Sequence, residues 1–182
     1  MVRYLYLIFI SLSLCNANDY FSEISLSKDL FGISYDNSTF HQNTETSSMY
    51  YFDFSLGNKM ILTSDFSLEP SIGITGGESQ NDGAKYVGYN FIFPLMYHKK
   101  GFSFGSFMKY MYVSKFDNNE IILHDKNAYS LGAKIILEGS MQWFLTYEYV
   151  LNSNYDMVNS YNESINVNLE GSRIAIGIRY KF

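Results

Sequence analysis

Three histidines, His41, His98 and His124, are the imidazoles with which this 182-residue chain could run proton transfer or activate a nucleophile. A histidine acts as a general base only within hydrogen-bond reach of its target, and a third group must orient it. His41 has Ser38 and Glu45 nearby in sequence, and His124 has Asp125; His98 stands beside the turn signal Lys99-Lys100-Gly101. Each falls on a separate polar connection, so solvated loop imidazoles account for all three, and the dispersal argues equally against a metal site. The single cysteine is Cys15. Removal of the segment that carries it would leave no thiol, disulfide or cysteine-ligated metal. The expectation is therefore no catalytic set, no cofactor and no metal.

The remaining chemistry lies in charges scattered along alternating segments. Ile174, Ile176, Ile178, Tyr180 and Phe182 share one parity, and Arg173, Ala175, Gly177, Arg179 and Lys181 the other. A strand sends successive side chains to opposite faces, so this segment has one greasy face and one small or charged face. The same period recurs in five more segments. Tyr129 to Leu137 alternates with Ser130 to Glu138, and Trp143 to Tyr149 with Gln142 to Glu148. Val87 to Leu95 alternates with Gly88 to Pro94, Phe66 to Ile74 with Asp65 to Gly73, and Tyr50 to Leu56 with Tyr51 to Gly57. Two segments are less regular. Around Ile24 and Leu26 the pattern slips after Lys28, as a bulge would cause, and between Phe102 and Val113 both parities are apolar, with Phe102, Phe104, Met108, Tyr110 and Tyr112 the bulkier face.

Eight strands follow, and their connections alternate in length. Short links fall at Gly57-Asn58-Lys59, His98 to Gly101 and Glu138-Gly139-Ser140, whereas polar links span residues 35–48, 75–84, 114–127 and 152–170. Tight turns at one end and long loops at the other describe an all-β, eight-stranded antiparallel up-and-down transmembrane β-barrel with both termini on the short-turn side.

Residues 1–17 read as a secretory signal: Arg3, an apolar run from Tyr4 to Leu14, and small residues Cys15 and Ala17 at the −3 and −1 positions. The run is too short for a helix spanning a bilayer, which needs about 20 residues. A lipoprotein signal would put a small residue before the cysteine, where Leu14 stands. Residues 18–182 then form the barrel. The formal charge of −5 becomes one unit more negative without Arg3, and no basic run exceeds Lys99-Lys100, so nucleic acid is not an expected partner.

Alternation alone fits a soluble barrel with the two faces exchanged. The choice falls on the membrane form because the polar parity is rich in Gly, Ser and Ala, which suit a narrow interior. Tyr50, Tyr110, Tyr112, Tyr147, Tyr149 and Tyr180 also sit near strand ends, where interfacial rings belong. The ending Ile176-Gly177-Ile178-Arg179-Tyr180-Lys181-Phe182 resembles the C-terminal assembly signal of bacterial outer-membrane barrels, and Ile176, Ile178, Tyr180 and Phe182 carry that resemblance. The chain as a whole is similar to the small eight-stranded family that includes the OmpA transmembrane domain and the opacity proteins. The resemblance implies residence in the outer membrane of a Gram-negative bacterium, among lipid and lipopolysaccharide, and recognition of the last strand by the barrel assembly machinery.

In that setting Glu23, Asp53, Asp65, Glu69, Lys109, Lys134, Glu148, Arg173 and Arg179 are expected to point into the lumen and form a network of paired charges, since an unpaired buried charge is costly. The functional expectation is a non-enzymatic, structural or surface-interaction protein that meets an extracellular ligand through its loops. A lipid A-modifying enzyme would need His41 or His124 to meet a serine and a carboxylate above the membrane rim. A narrow, porin-like transporter would need a continuous lumen.

Overall fold

The computed structural model describes residues 19–30, 34–37, 42–43, 48–80, 83–117, 122–151, 153–158 and 164–182. In chain order the strands are β1 (Asp19–Asp29), β2 (Ser34–Asn37), β3 (Gln42–Asn43), β4 (Met49–Ile61), β5 (Phe66–Leu68), β6 (Ser71–Ser79), β7 (Lys85–Lys99), β8 (Phe102–Asp117), β9 (Ile122–Leu137), β10 (Gln142–Leu151), β11 (Asn154–Val158), β12 (Ser164–Asn168) and β13 (Gly171–Lys181). The eight-membered ring β1-β4-β6-β7-β8-β9-β10-β13 is antiparallel throughout and closes where β13 returns to β1. The seam runs from Phe21↔Lys181 to Asp29↔Arg173. Tyr20 and Phe182 finish it by exchanging backbone hydrogen bonds of 3.3 and 3.0 Å. Closure leaves no unpaired edge among these strands, the condition for crossing lipid with β-structure.

Side-chain facing decides the environment. Leu26, Ile176, Leu131 and Leu145 are 63%, 57%, 55% and 45% exposed on the outside, whereas Arg179 and Lys134 are 2% and 4% exposed inside. A soluble barrel would have these sets reversed, because a continuous apolar band of this extent is not tolerated in water. Rings frame the band. Tyr20, Phe66, Tyr97, Phe102, Phe104, Tyr180 and Phe182 cluster at the short-turn end. Tyr89, Phe91, Tyr110, Tyr112 and Tyr129 cluster toward the other end.

Four details differ from the sequence expectation. First, β4 continues through Gly57-Asn58-Lys59, and the turn lies at residues 62–65. Gly57 is there for a close approach: a Cβ would run into the Phe21 ring, which lies across it from the adjacent strand. Second, β1 alternates without a slip through Asp29. The irregularity is instead in β8, where Val113 pairs with Gly88 and Lys115 with Val87, so Ser114 is the inserted residue and Phe116 turns inward. Third, the strand over residues 66–79 is broken at Glu69-Pro70. Proline has no N–H to donate to a ladder, and here the Glu69 N–H reaches the Pro94 carbonyl at 2.9 Å. Fourth, the described residues of the expected long links are largely strand. β6 runs to Ser79, β8 and β9 pair as far as Asp117↔Ile122, and the outermost segments form a second sheet in the order β11-β12-β2-β3.

Candidate functional site

The lumen is built from residues that alternation sends inward on all eight strands, and its charges sort into three clusters. At the base, Glu23 of β1 accepts from Lys134 of β9 at 2.5 Å and from Arg179 of β13 at 2.7 Å. Arg179 reaches on to Glu69 at 2.6 Å. Each cation also lies against a ring, Arg179 3.9 Å from the centroid of Phe21 and Lys134 4.3 Å from that of Phe144. In the middle, the Lys109 ammonium stands 3.3 Å from Glu148 and 3.8 Å from Asp53. Ser130 donates to Glu148 at 2.8 Å and Thr75 to Asp53 at 2.5 Å. Toward the outer end, Arg173 donates to Asp29 at 2.5 Å and to the Tyr51 hydroxyl at 2.8 Å, and that hydroxyl donates to Asp29 at 2.7 Å. A cavity of about 40 Å³ separates the base from the middle cluster.

Eight of the nine charges expected in the lumen are there. Asp65 is not: it is exposed in the turn after β4, because that strand runs four residues past the expected turn at Gly57 and the turn moves onto residues 62–65. Asp29 belongs to the network and was missed, since the supposed slip after Lys28 put it outside the alternation. Tyr51 was missed because an inward tyrosine in an otherwise small-residue face carries no signal of its own.

A second constellation lies below the base cluster. Ser67 donates to Glu69 (2.9 Å) and lies 2.6 Å from His98 Nε2; His98 Nδ1 lies 2.7 Å from Ser103 Oγ, which donates to Glu138 (2.7 Å). Gln142 also donates to Glu138, and Lys181 comes within 3.5 Å of it. The sequence expectation puts His98 on a solvated turn; in the structure it is the penultimate residue of β7 and joins two serine–carboxylate pairs. Ser67 and Ser103 are both 0% exposed, so neither hydroxyl presents surface to a substrate. His41 lies outside the described residues and so does the side chain of His124.

The outer mouth carries an apolar cap. Met49, Tyr51, Tyr86, Val113 and Phe116 from the wall pack with Tyr155, Val167 and Leu169 from the outer sheet and its return to β13. Tyr51 and Tyr86 meet edge to face at 5.4 Å, and the Tyr155 hydroxyl donates to the Asn127 carbonyl at 2.9 Å. Burial in this cap pushes the Tyr155 phenol above its ordinary range. Because Tyr51 also bonds Asp29 and Arg173, the cap rests directly on the outermost charge cluster.

Comparison with solved structures agrees with this geometry. The outer membrane protein OprG from Pseudomonas aeruginosa superposes with a TM-score of 0.56 at 11% identity, over 92% of this chain and 97% of that one. Neisserial surface protein A gives 0.52 at 10% identity, over 90% and 97%. The fold is that of the small outer-membrane β-barrels. The outer membrane enzyme PagL shares it as well, with a TM-score of 0.52 at 8% identity over 87% of this chain and 98% of that one. At these identities the likeness is one of fold, and the barrel's apolar band fits the bilayer that such folds span. No protein-family model matches the sequence, and no curated protein matches it.

Proposed function

We propose that this outer-membrane barrel acts at the cell surface, as a structural and binding protein whose extracellular sheet meets a ligand, and that it is neither a pore nor an enzyme. One observation carries the reading: the lumen is filled by interlocked charges and roofed by the apolar cap, while the outer connections are folded into the sheet β11-β12-β2-β3 standing on that cap. The interior of an eight-stranded barrel is just wide enough for its own side chains to fill, and here they leave a cavity of about 40 Å³. Ordering loops into a sheet removes conformational freedom before any partner arrives, which favours tight recognition. The buried Ser67–His98–Ser103 chain fits a structural clasp at the base, since acyl transfer requires a nucleophile that the substrate can reach. In this reading the partners within the membrane are lipid, lipopolysaccharide and the assembly machinery.

The test is display on a poorly adherent Gram-negative host. Cells carrying the full barrel are expected to gain binding to host-cell or matrix surfaces. A chain with residues 154–168 replaced by a short turn is expected to insert equally well and lose that binding. Equal binding by both chains would overturn the proposal, as would ligand release or lipid modification that depends on the lumen.

A further inference from the structure

The lumen clusters do not balance equally. Asp29 is matched by Arg173, and Glu23 and Glu69 are matched by Lys134 and Arg179. Asp53 and Glu148, however, share the single ammonium of Lys109, which stands closer to Glu148. Among the described lumen side chains these two carboxylates thus share one cation and carry one excess negative charge; Asp53, the farther partner, also accepts from Thr75 at 2.5 Å and Ser27 at 3.4 Å. In a low-dielectric interior such a charge is expensive unless something compensates it.

Three carboxylates (Asp53, Glu23 and Glu148) and two ammoniums (Lys109 and Lys134) line the 40 Å³ cavity, together with Asn90 and three serines. Asn90 is 1% exposed and donates its amide N–H to Thr75 at 2.8 Å, while Thr75 donates to Asp53. That chain of donors fixes the orientation of the amide, because Thr75 has spent its one proton and can only accept from Asn90. The amide oxygen is therefore turned away from Thr75, and it has no hydrogen-bond partner. It lies over Gly73, where a Cβ would collide with it, so the wall is hollowed where that oxygen sits. A buried acceptor left open in a cavity whose carboxylates outnumber its ammoniums is an arrangement that favours a cation.

We propose that the cavity between the base and middle clusters holds a small monovalent cation of sodium size, coordinated by Asp53 and the Asn90 amide oxygen with serine hydroxyls and water completing the shell. The excess is one charge, three carboxylates against two ammoniums around the cavity, and Asp53 stands farthest from its ammonium. Calcium sites gather several carboxylates, and magnesium keeps most of its waters and octahedral space. The volume admits an ion with one or two waters, since a water needs roughly 10–15 Å³ of such space. The proposal concerns the lumen and stands apart from the surface-binding reading.

The experiment compares the thermal midpoint of the detergent-solubilised barrel in sodium chloride and in choline chloride at equal ionic strength. Sodium is expected to raise the midpoint by a few degrees, saturably. Asp53→Asn is expected to abolish that dependence without lowering the choline midpoint, because it removes the excess charge and leaves Lys109 on Glu148. Crystals soaked in a thallium(I) salt are expected to show anomalous density between Asp53 and Asn90, and this measurement decides the matter if the variant does not fold. Equal wild-type midpoints with a water at the position would overturn the proposal. So would a sodium effect that survives Asp53→Asn, or a choline midpoint that rises on acidification and ignores sodium, which would put a proton on Asp53 instead.

Discussion

Glu23 and Arg179 are 156 residues apart in sequence and directly opposite in register, joined at 2.7 Å across the seam where the first strand meets the last. Lys134 reaches the same carboxylate from the far wall, so Glu23 ties β1 to both β13 and β9. Glu23→Gln leaves Lys134 buried against Phe144 without its carboxylate, and breaking a buried pair in this way costs about 3–5 kcal/mol. Adding Lys134→Met removes the stranded charge and keeps the Arg179–Glu69 pair, so most of the loss is expected to return. Urea unfolding of the single and double variants in lipid vesicles measures both; a double variant no more stable than the single one would refute the pairing.

Inward rings lie over glycines directly opposite them, Phe21 on Gly57, Phe107 on Gly132 and Phe144 on Gly177. Gly57→Ala is expected to force the Phe21 ring, and with it the Arg179 guanidinium stacked on it, out of place. Overpacking of this kind costs about 1–3 kcal/mol. Phe21→Leu in the same chain should relieve the part due to the ring, read as partial recovery of the urea midpoint, while the contact of the new Cβ with the Pro70 carbonyl remains.

The period-2 pattern made the eight wall strands and their facing legible, because one face had to be greasy along the whole length of each. Eight of the nine lumen charges follow from parity alone. The errors came where local and tertiary reasons for a residue diverge. Gly57-Asn58 has the composition of a turn, yet the glycine answers to a ring on the neighbouring strand. The bulge at Ser114 leaves no compositional mark, since both parities of β8 are apolar. His98 looks solvated in the sequence because its partners Ser67, Ser103 and Glu138 come from three other segments. The outer sheet was unreadable for a related reason: Asn-, Ser- and Asp-rich segments look like loops until β12 finds β2 across more than a hundred residues.

Phe182 pairs its backbone with Tyr20, and its ring stacks on Tyr20 and Tyr180 at 6.3 and 6.4 Å. Its deletion removes the final rung of the seam and the residue by which the last strand resembles an assembly signal. The expected outcome in cells is a lower yield of folded barrel, seen as loss of the heat-modifiable band in semi-native electrophoresis. Refolding in detergent, where no machinery acts, should suffer less. Equal losses in both settings would point to seam stability alone.

A lumen closed by three charge clusters and an apolar cap should not conduct. Planar bilayers containing the purified barrel are expected to show no stepwise current, and so are those with residues 154–168 replaced by a short turn. In the second case the Lys134–Glu23–Arg179–Glu69 cluster still spans the base. Steady single-channel openings in the wild-type chain would mean that the cap or the base opens in the membrane.

The facing of the wall gives the last test. Ile176, Leu131 and Leu145 lie outward, and Arg179, Lys134 and Thr146 belong to the inward parity. Arginine at position 176, near the middle of the β13 span, should destabilise by about 2–4 kcal/mol, and at Tyr180, close to the interface, by about 0–1 kcal/mol. Single cysteines provide the direct readout, because cleavage after Ala17 would remove Cys15, the chain's one thiol. Mass spectrometry of the exported protein should first find an N-terminus at Asn18, in the segment outside the described residues. In liposomes, a membrane-restricted thiol probe should then label Ile176→Cys and Leu131→Cys rapidly and spare Lys134→Cys and Thr146→Cys. Lysine 134 has its ammonium on Glu23, so its cysteine variant is read beside Thr146→Cys, whose loss disturbs no ion pair. Labelling of 134 and 146 in preference to 131 and 176 would mean that the two faces are exchanged, and the membrane-spanning reading would fail, since charged side chains in hydrocarbon are costly.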